Sequence, residues 1–234
     1  MSLIIYDPVV IQSISHNPTA FTQGLEMFDG DLLESSGGHG DSQIYRYRGT
    51  GPAVVNRVRL GGNLFGEDIC VIDDQLVQLT WRDSVALRWS LPDLNLIEKV
   101  PYDREGWGMC TDGNYCYTSD GTAEIAVRDR RSLRPVRSIS AHIPSGELIS
   151  GLNALSYGGG VLWANKVQSC SLFEIDPQTG VVIGMVNLWD LFMNAPDNSG
   201  YGANGLIVDL SGGERTLWVT GKLHPRLIKL VLEG

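Results

Sequence analysis

Five short segments of the chain set a glycine beside an aromatic, amide or carboxylate residue: Phe21-Thr22-Gln23-Gly24-Leu25, Leu64-Phe65-Gly66-Glu67-Asp68, Arg104-Glu105-Gly106-Trp107-Gly108-Met109, Ser150-Gly151-Leu152-Asn153-Ala154-Leu155 and Tyr201-Gly202-Ala203-Asn204-Gly205-Leu206. A carboxylate walled by apolar rings resists ionisation, so it can take and return a proton near neutral pH. Glu67 beside Phe65 and Glu105 beside Trp107 both qualify, and residue type alone ranks them equally. Indole N–H groups and a side-chain amide can stabilise an oxyanion in a dry site; Trp81, Trp107 and Asn153 are the candidates. Lys222, in Thr220-Gly221-Lys222, would pair with such a carboxylate. Singly, a turn asparagine, a packed tryptophan or a surface lysine is an ordinary structural residue. His16, His39, His142 and His224 are scattered and lack the Cys or Glu spacing of a zinc site.

These segments occupy the same place in a repeat. Leu25, Ile69, Met109, Leu155 and Leu206 open similar apolar, β-patterned runs, about 40 to 50 residues apart, the period of a four-stranded propeller blade. Asp112-Gly113 before Asn114 to Gly121 is a hairpin signal, and Ala123 to Arg128 roughly alternates as a half-buried strand should. The expectation is an all-β, five-bladed β-propeller of four-stranded antiparallel blades, one domain over residues 1–234. The first strand, near Ile4 to Ser15, should pair with the C-terminal repeat and close the ring, since an open ring leaves an exposed edge. Only Val186 to Met193 reads as helix. In such a ring the five glycine-bearing segments converge over the central channel.

With 28 glycines, 10 prolines and 43% hydrophobic residues, the composition agrees with this class. The net charge is −9, and the one basic cluster, Arg128-Asp129-Arg130-Arg131, is too small for nucleic acid, which demands a concentrated positive surface. The most apolar stretch, Val181 to Met193, is broken by Asn187 and Asp190 and is too short to span a bilayer. Cys70, Cys110, Cys116 and Cys170 form no CxxC pair and read as small core residues; Cys110 and Cys116, flanking one turn, are the one pair whose neighbourhood suggests a disulfide. No signal peptide precedes Ile4. Ring closure leaves no required interface, so a monomer is expected.

Phe-Thr-Gln-Gly-Leu at 21–25, Phe-Gly-Glu at 65–67, Leu-Thr-Trp at 79–81, Glu-Gly-Trp-Gly at 105–108, Ser-Asp-Gly-Thr at 119–122, Gly-Leu-Asn at 151–153, Trp-Ala-Asn at 163–165 and Thr-Gly-Lys at 220–222 follow in register with the repeats. In this order they resemble the plant and bacterial glutaminyl cyclases. The resemblance implies a five-bladed propeller that converts an N-terminal glutamine of a peptide or protein into pyroglutamate and ammonia. It implies Glu67, not Glu105, as proton shuttle, with Trp107 and Asn153 holding the γ-carbonyl. Trp81 would wall the pocket and donate an N–H, Phe21 and Gln23 would line the amine side next to Phe65, and Lys222 would support Glu67. Trp89, Trp163, Trp189 and Trp218 remain packing residues. No cofactor is implied as obligatory, although a structural metal ion in the central channel is compatible with the resemblance, which also favours a periplasmic or secreted location.

Three departures stand out. Val167 occupies a pocket position where the family carries a tryptophan, Ala154 replaces a glutamate, and His224 replaces an aromatic residue. Loss of one oxyanion donor typically costs about a hundredfold in rate. The alternative is therefore a propeller impaired in turnover that binds peptide N-termini or another small ligand in the same hole. A third reading, a metal-dependent lactonase-like propeller, would draw ligands from Glu26, Asp68, Asn153 and Asn204. Little selectivity is expected for the residue after the glutamine, which would sit toward solvent.

Overall fold

The computed structural model describes residues 2–234. A long first strand, β1 (Ile4–Ser15), precedes four up-and-down units of four strands and a fifth of three, to which β1 adds the outer strand. The first is β2 (Thr22–Phe28), β3 (Asp31–Ser36), β4 (Gln43–Tyr47) and β5 (Val54–Arg59); the second is β6 (Gly66–Ile72), β7 (Gln75–Thr80), β8 (Val85–Ser90) and β9 (Leu96–Pro101). The third is β10 (Met109–Thr111), β11 (Tyr115–Ser119), β12 (Glu124–Asp129) and β13 (Pro135–Ser140). Each of these three is a separate antiparallel sheet. The fourth is β14 (Leu152–Gly158), β15 (Val161–Lys166), β16 (Ser171–Ile175) and β17 (Val182–Asn187); after a short helix α1 (Trp189–Phe192) come β18 (Ala203–Asp209), β19 (Thr216–Gly221) and β20 (Arg226–Glu233).

The last two units share one eight-stranded mixed sheet, and β1 is the strand that joins them. Its residues Asp7 to Ser15 pair antiparallel with β20, as expected from the sequence, while Ile4 to Tyr6 pair in parallel with β17. The terminal strand thus covers two edges that would otherwise offer unpaired N–H and C=O groups.

Burial follows position within a unit. Opening strands such as β2 and β6 are buried over at least their first four residues, whereas closing strands such as β5, β9 and β13 are mostly exposed. The opening strands pack in cyclic order, β2 on β6, β6 on β10, β10 on β14, β14 on β18 and β18 on β2. Asp68 fastens three of them: its carboxylate accepts the backbone N–H of Ile69 at 2.9 Å, of Met109 at 2.9 Å and of Leu155 at 3.1 Å. Gly24 permits the approach, since a Cβ there would fall 1.9 Å from Asp68 Oδ1. Asn204 ties β18 to β2 by donating to the Thr22 carbonyl at 2.7 Å.

Of Val186 to Met193, expected to be helical, Trp189–Phe192 forms the single helical turn α1, while Val186 and Asn187 end β17. Val182, Gly184 and Val186 turn inward along β17, a two-residue period, and only after Asn187 Oδ1 accepts the Trp189 N–H at 2.8 Å does one helical turn form. All four cysteines are buried free thiols. Cys110 pairs with Tyr117 and Cys116 with Thr111, so their side chains leave opposite faces of the sheet and join different cores. The basic cluster also dissolves. Arg128 is buried, donating to Thr118 Oγ1 and the Leu133 carbonyl and pairing with Asp103 at 2.7 Å, while Arg130 pairs with Asp73.

Candidate active site

Opening strands enter side by side, so the residues at their starts meet at one end of the channel. Phe21, Gln23, Phe65, Glu67, Trp81, Trp107, Asn153, Val167 and Lys222 together line a cavity of about 270 Å³. These are the nine residues singled out from the sequence, drawn from all five units. Gln23 and Glu67 lie on β2 and β6, Trp81 and Lys222 just beyond β7 and β19, Trp107 just before β10, and Asn153 on β14.

Glu67 and Lys222 are its only charged members. Burial pushes the Glu67 carboxyl well above the ordinary carboxylate range; the Lys222 charge pulls it back, and Asp68 and Glu105 push it further up. Burial lowers the Lys222 ammonium, opposed by Glu67. Lys222 Nζ also sits 5.0 Å from the Phe21 ring centroid, a cation–π contact that holds it at the cavity wall.

Glu105, the rival carboxylate, has a different place. Its Oε2 accepts the indole N–H of Trp81 at 3.0 Å and of Trp107 at 3.1 Å, and its Oε1 accepts Arg82 Nε–H at 2.8 Å. Although what burial it has raises its pKa, hydrogen bonds from Trp107, Arg82 and Trp81 hold it below the usual value. Glu105 therefore stays ionised and clamps the two tryptophans. The N–H groups expected to reach a substrate carbonyl are turned to this carboxylate instead, because an anion outcompetes a neutral acceptor. Gly121 makes room for the arrangement: at φ +82°, its missing Cβ would lie 2.7 Å from the Trp107 ring.

Asn153 belongs to a buried amide network. It donates to Asn204 Oδ1 at 2.8 Å, and its own buried Oδ1 has no partner among the described residues. Asn204 further accepts from Asn165 at 3.1 Å and donates to Gln23 Oε1 at 3.2 Å, which locks Gln23 and Asn153 in one network. A buried unpaired carbonyl oxygen invites an N–H donor, so Asn153 offers an acceptor to a ligand amide. Around the mouth, Phe21 meets Tyr201 and Phe65 edge-on at 5.4 and 6.4 Å, and Phe65 meets Trp81 at 5.6 Å with His39 packed on both.

The ligands of a lactonase-like metal site are otherwise engaged. Asp68 is saturated by backbone N–H groups, and Glu26 accepts those of Met27 at 2.9 Å and Val71 at 3.1 Å. No group of three or more His, Cys, Asp or Glu side chains gathers at metal-binding distance among the described residues.

A family model for glutamine cyclotransferases matches residues 2–232. The chain belongs to the glutamine cyclotransferase family. Among curated members it is 29% identical over 231 residues to glutaminyl-peptide cyclotransferase of Arabidopsis thaliana, across 96% of this chain and 71% of the relative. The crystal structure of Myxococcus xanthus glutaminyl cyclase superposes with a TM-score of 0.89 at 28% identity, covering 99% of both chains. A Bacteroides caccae protein of unknown function, 18% identical with a TM-score of 0.52 over 70% of this chain, shares the fold alone.

The motifs along the chain mark the lining of the cavity but not its supports. By residue type Glu105 ranks with Glu67 as a shuttle, His39 is an isolated histidine and Trp189 a packing residue. Trp189 is instead 49% exposed. Trp89, Trp163 and Trp218 are buried between strands as expected.

Proposed function

We propose that this glutamine cyclotransferase acts on peptides and proteins with an N-terminal glutamine, with Glu67 as the one proton shuttle. The reaction is an intramolecular acyl transfer. The neutral α-amine attacks the side-chain amide carbon, forming the new N–C bond and placing negative charge on the amide oxygen. Glu67 takes the proton from the attacking nitrogen and returns it to the departing amide nitrogen, so the C–N bond breaks with release of ammonia. Lys222, the one cation in the cavity, takes up the oxyanion's charge. The unpaired Asn153 Oδ1 accepts from the γ-amide N–H, Phe21, Gln23 and Phe65 seat the amine side, and Trp81 and Trp107, held by Glu105, wall the ring that forms.

The observation that carries this reading is a raised carboxylate facing a lowered ammonium in an otherwise uncharged aromatic cavity, in a chain of this family. Proton transfer between the substrate nitrogens through Glu67 needs no metal or organic cofactor. The cyclic packing of the five opening strands supports a five-bladed propeller forming one domain, and its closed ring supports a monomer. The acidic surface supports a site that takes no nucleic acid. A second reading, a binder impaired in turnover, is favoured by Val167, which puts an aliphatic side chain on the fourth unit's share of the cavity wall.

Ammonia release from glutaminyl dipeptides, with and without a chelator, tests both. Chelator-resistant release that collapses in Glu67→Gln establishes the cyclase and its shuttle. No release from folded wild-type protein establishes the binding reading.

A further inference from the structure

Beside the reaction cavity lies a second one of about 350 Å³. The two share Phe21, Val167 and Lys222 as a common wall. Its far side is built from Trp189 on α1, Met193 just after it and Tyr201 in the loop before β18. Trp189 and Tyr201 are 49% and 42% exposed, unusual for rings of this size, and both are turned to this hollow.

We propose that this second cavity receives the side chain of the residue that follows the N-terminal glutamine and selects a large apolar or aromatic one. The inference rests on the cyclase reading. With the α-amine and γ-amide of the glutamine held in the reaction cavity, the chain leaves through its carbonyl, and the next Cα lies about 3.8 Å on. Phe21 and Lys222, which flank the amine side, also line the second cavity, so the next side chain emerges at the shared wall. Val167 sets the width of that wall. An isopropyl group leaves the two hollows adjoining, whereas an indole at the same position would stand in the passage between them. No acidic residue lines the second cavity, and its one cation, Lys222, already faces Glu67 and the Phe21 ring. Of its polar side chains, Asn165, Asn204 and Ser169 are held in hydrogen bonds within the protein and Gln168 is neutral, so the surface left to a ligand is mainly the aromatic and thioether one of Phe21, Trp189, Tyr201 and Met193, which favours apolar partners. This reverses the expectation of indifference at that position.

Steady-state kcat/KM for Gln-Gly, Gln-Phe and Gln-Glu decides the matter. Wild-type protein should favour Gln-Phe over Gln-Gly by about tenfold, the scale of filling one hydrophobic pocket. Trp189→Ala, outside the reaction cavity, should leave Gln-Gly turnover unchanged and bring Gln-Phe close to it. Val167→Trp should lower the same ratio; because any donor effect of the new indole acts on both substrates, the ratio isolates the subsite. Equal wild-type values for Gln-Gly and Gln-Phe, with ready turnover of both, would overturn the subsite and leave the cyclase standing. A preference for Gln-Glu would overturn its apolar character. Absence of turnover for every dipeptide would overturn both readings.

Discussion

Glu67 and Lys222 face a common cavity that holds no other charge, and burial moves them in opposite directions, the carboxyl up and the ammonium down. Each charge moderates the other's shift. The shuttle must start as a carboxylate, so the acid limb of kcat reports Glu67 in the substrate complex. Lys222 lowers the Glu67 pKa; Lys222→Met removes that effect and raises it. The acid limb of the kcat profile should therefore move to higher pH, and the plateau should fall about tenfold to a hundredfold from the lost oxyanion partner. An unmoved limb would mean that Lys222 does not act on Glu67.

Glu105 acts on the same carboxylate with the opposite sign, since its negative charge raises the Glu67 pKa. Glu105→Gln keeps an oxygen for the indole N–H groups of Trp81 and Trp107 but removes the charge. Its acid limb should move to lower pH, with KM rising severalfold as the two rings loosen. Abolished turnover with no shift would instead mark Glu105 as the shuttle. Measured together, the two variants give shifts of opposite sign that no general loss of stability can imitate.

What could be read along the chain was whatever repeats or stays local. The apolar runs opening at Leu25, Ile69, Met109, Leu155 and Leu206 all became opening strands, because two-residue alternation and flanking turns are properties of short windows. The one helix is legible within Val186 to Met193, but its start is not, because a run of apolar residues suits a buried strand end and a helical turn equally, and the boundary is marked by a single hydrogen bond from the Trp189 N–H to Asn187 Oδ1. The role of Glu105 was hidden for another reason. It depends on Trp81, from the end of another unit's strand, reaching the same oxygen as Trp107. Trp189 read as core from its size, since exposure at a cavity rim belongs to the fold and not to the residue.

The cysteines make a simple check. Burial raises the pKa of Cys116 to about 12 and pushes Cys70 and Cys110 well above the usual range, with Cys170 raised as well. The thiolate is the reactive form. A colorimetric thiol reagent at pH 8 should find no reactive group in native protein and all four after unfolding. Reductant should leave the melting temperature unchanged. Fewer than four thiols in the unfolded, unreduced chain would reveal a disulfide.

The closure of the ring carries its own pH dependence. His16, immediately beyond β1, places Nε2 3.1 Å from Glu34 Oε1 on β3, with Nδ1 2.9 Å from the His224 carbonyl, and both side chains of the pair are buried. Burial alone would lower the His16 pKa, but the Glu34 charge, its hydrogen bond and the His224 carbonyl raise it above the ordinary value. A raised folded pKa means that the pair's stabilisation is fully present below the unfolded histidine pKa, about 6.5, and is lost as pH rises through the folded value. Breaking a buried pair costs about 3 to 5 kcal/mol. Glu34 keeps the hydroxyls of Thr22 at 2.6 Å and Tyr47 at 2.7 Å, so His16→Phe should fall at the lower end. His224, lowered mainly by burial, has the opposite linkage but is present in both proteins and largely cancels in the difference. Urea unfolding of wild type and His16→Phe should therefore show a gap that is largest near pH 6 and narrows toward pH 9; a gap independent of pH would mean that His16 is neutral and serves only as packing.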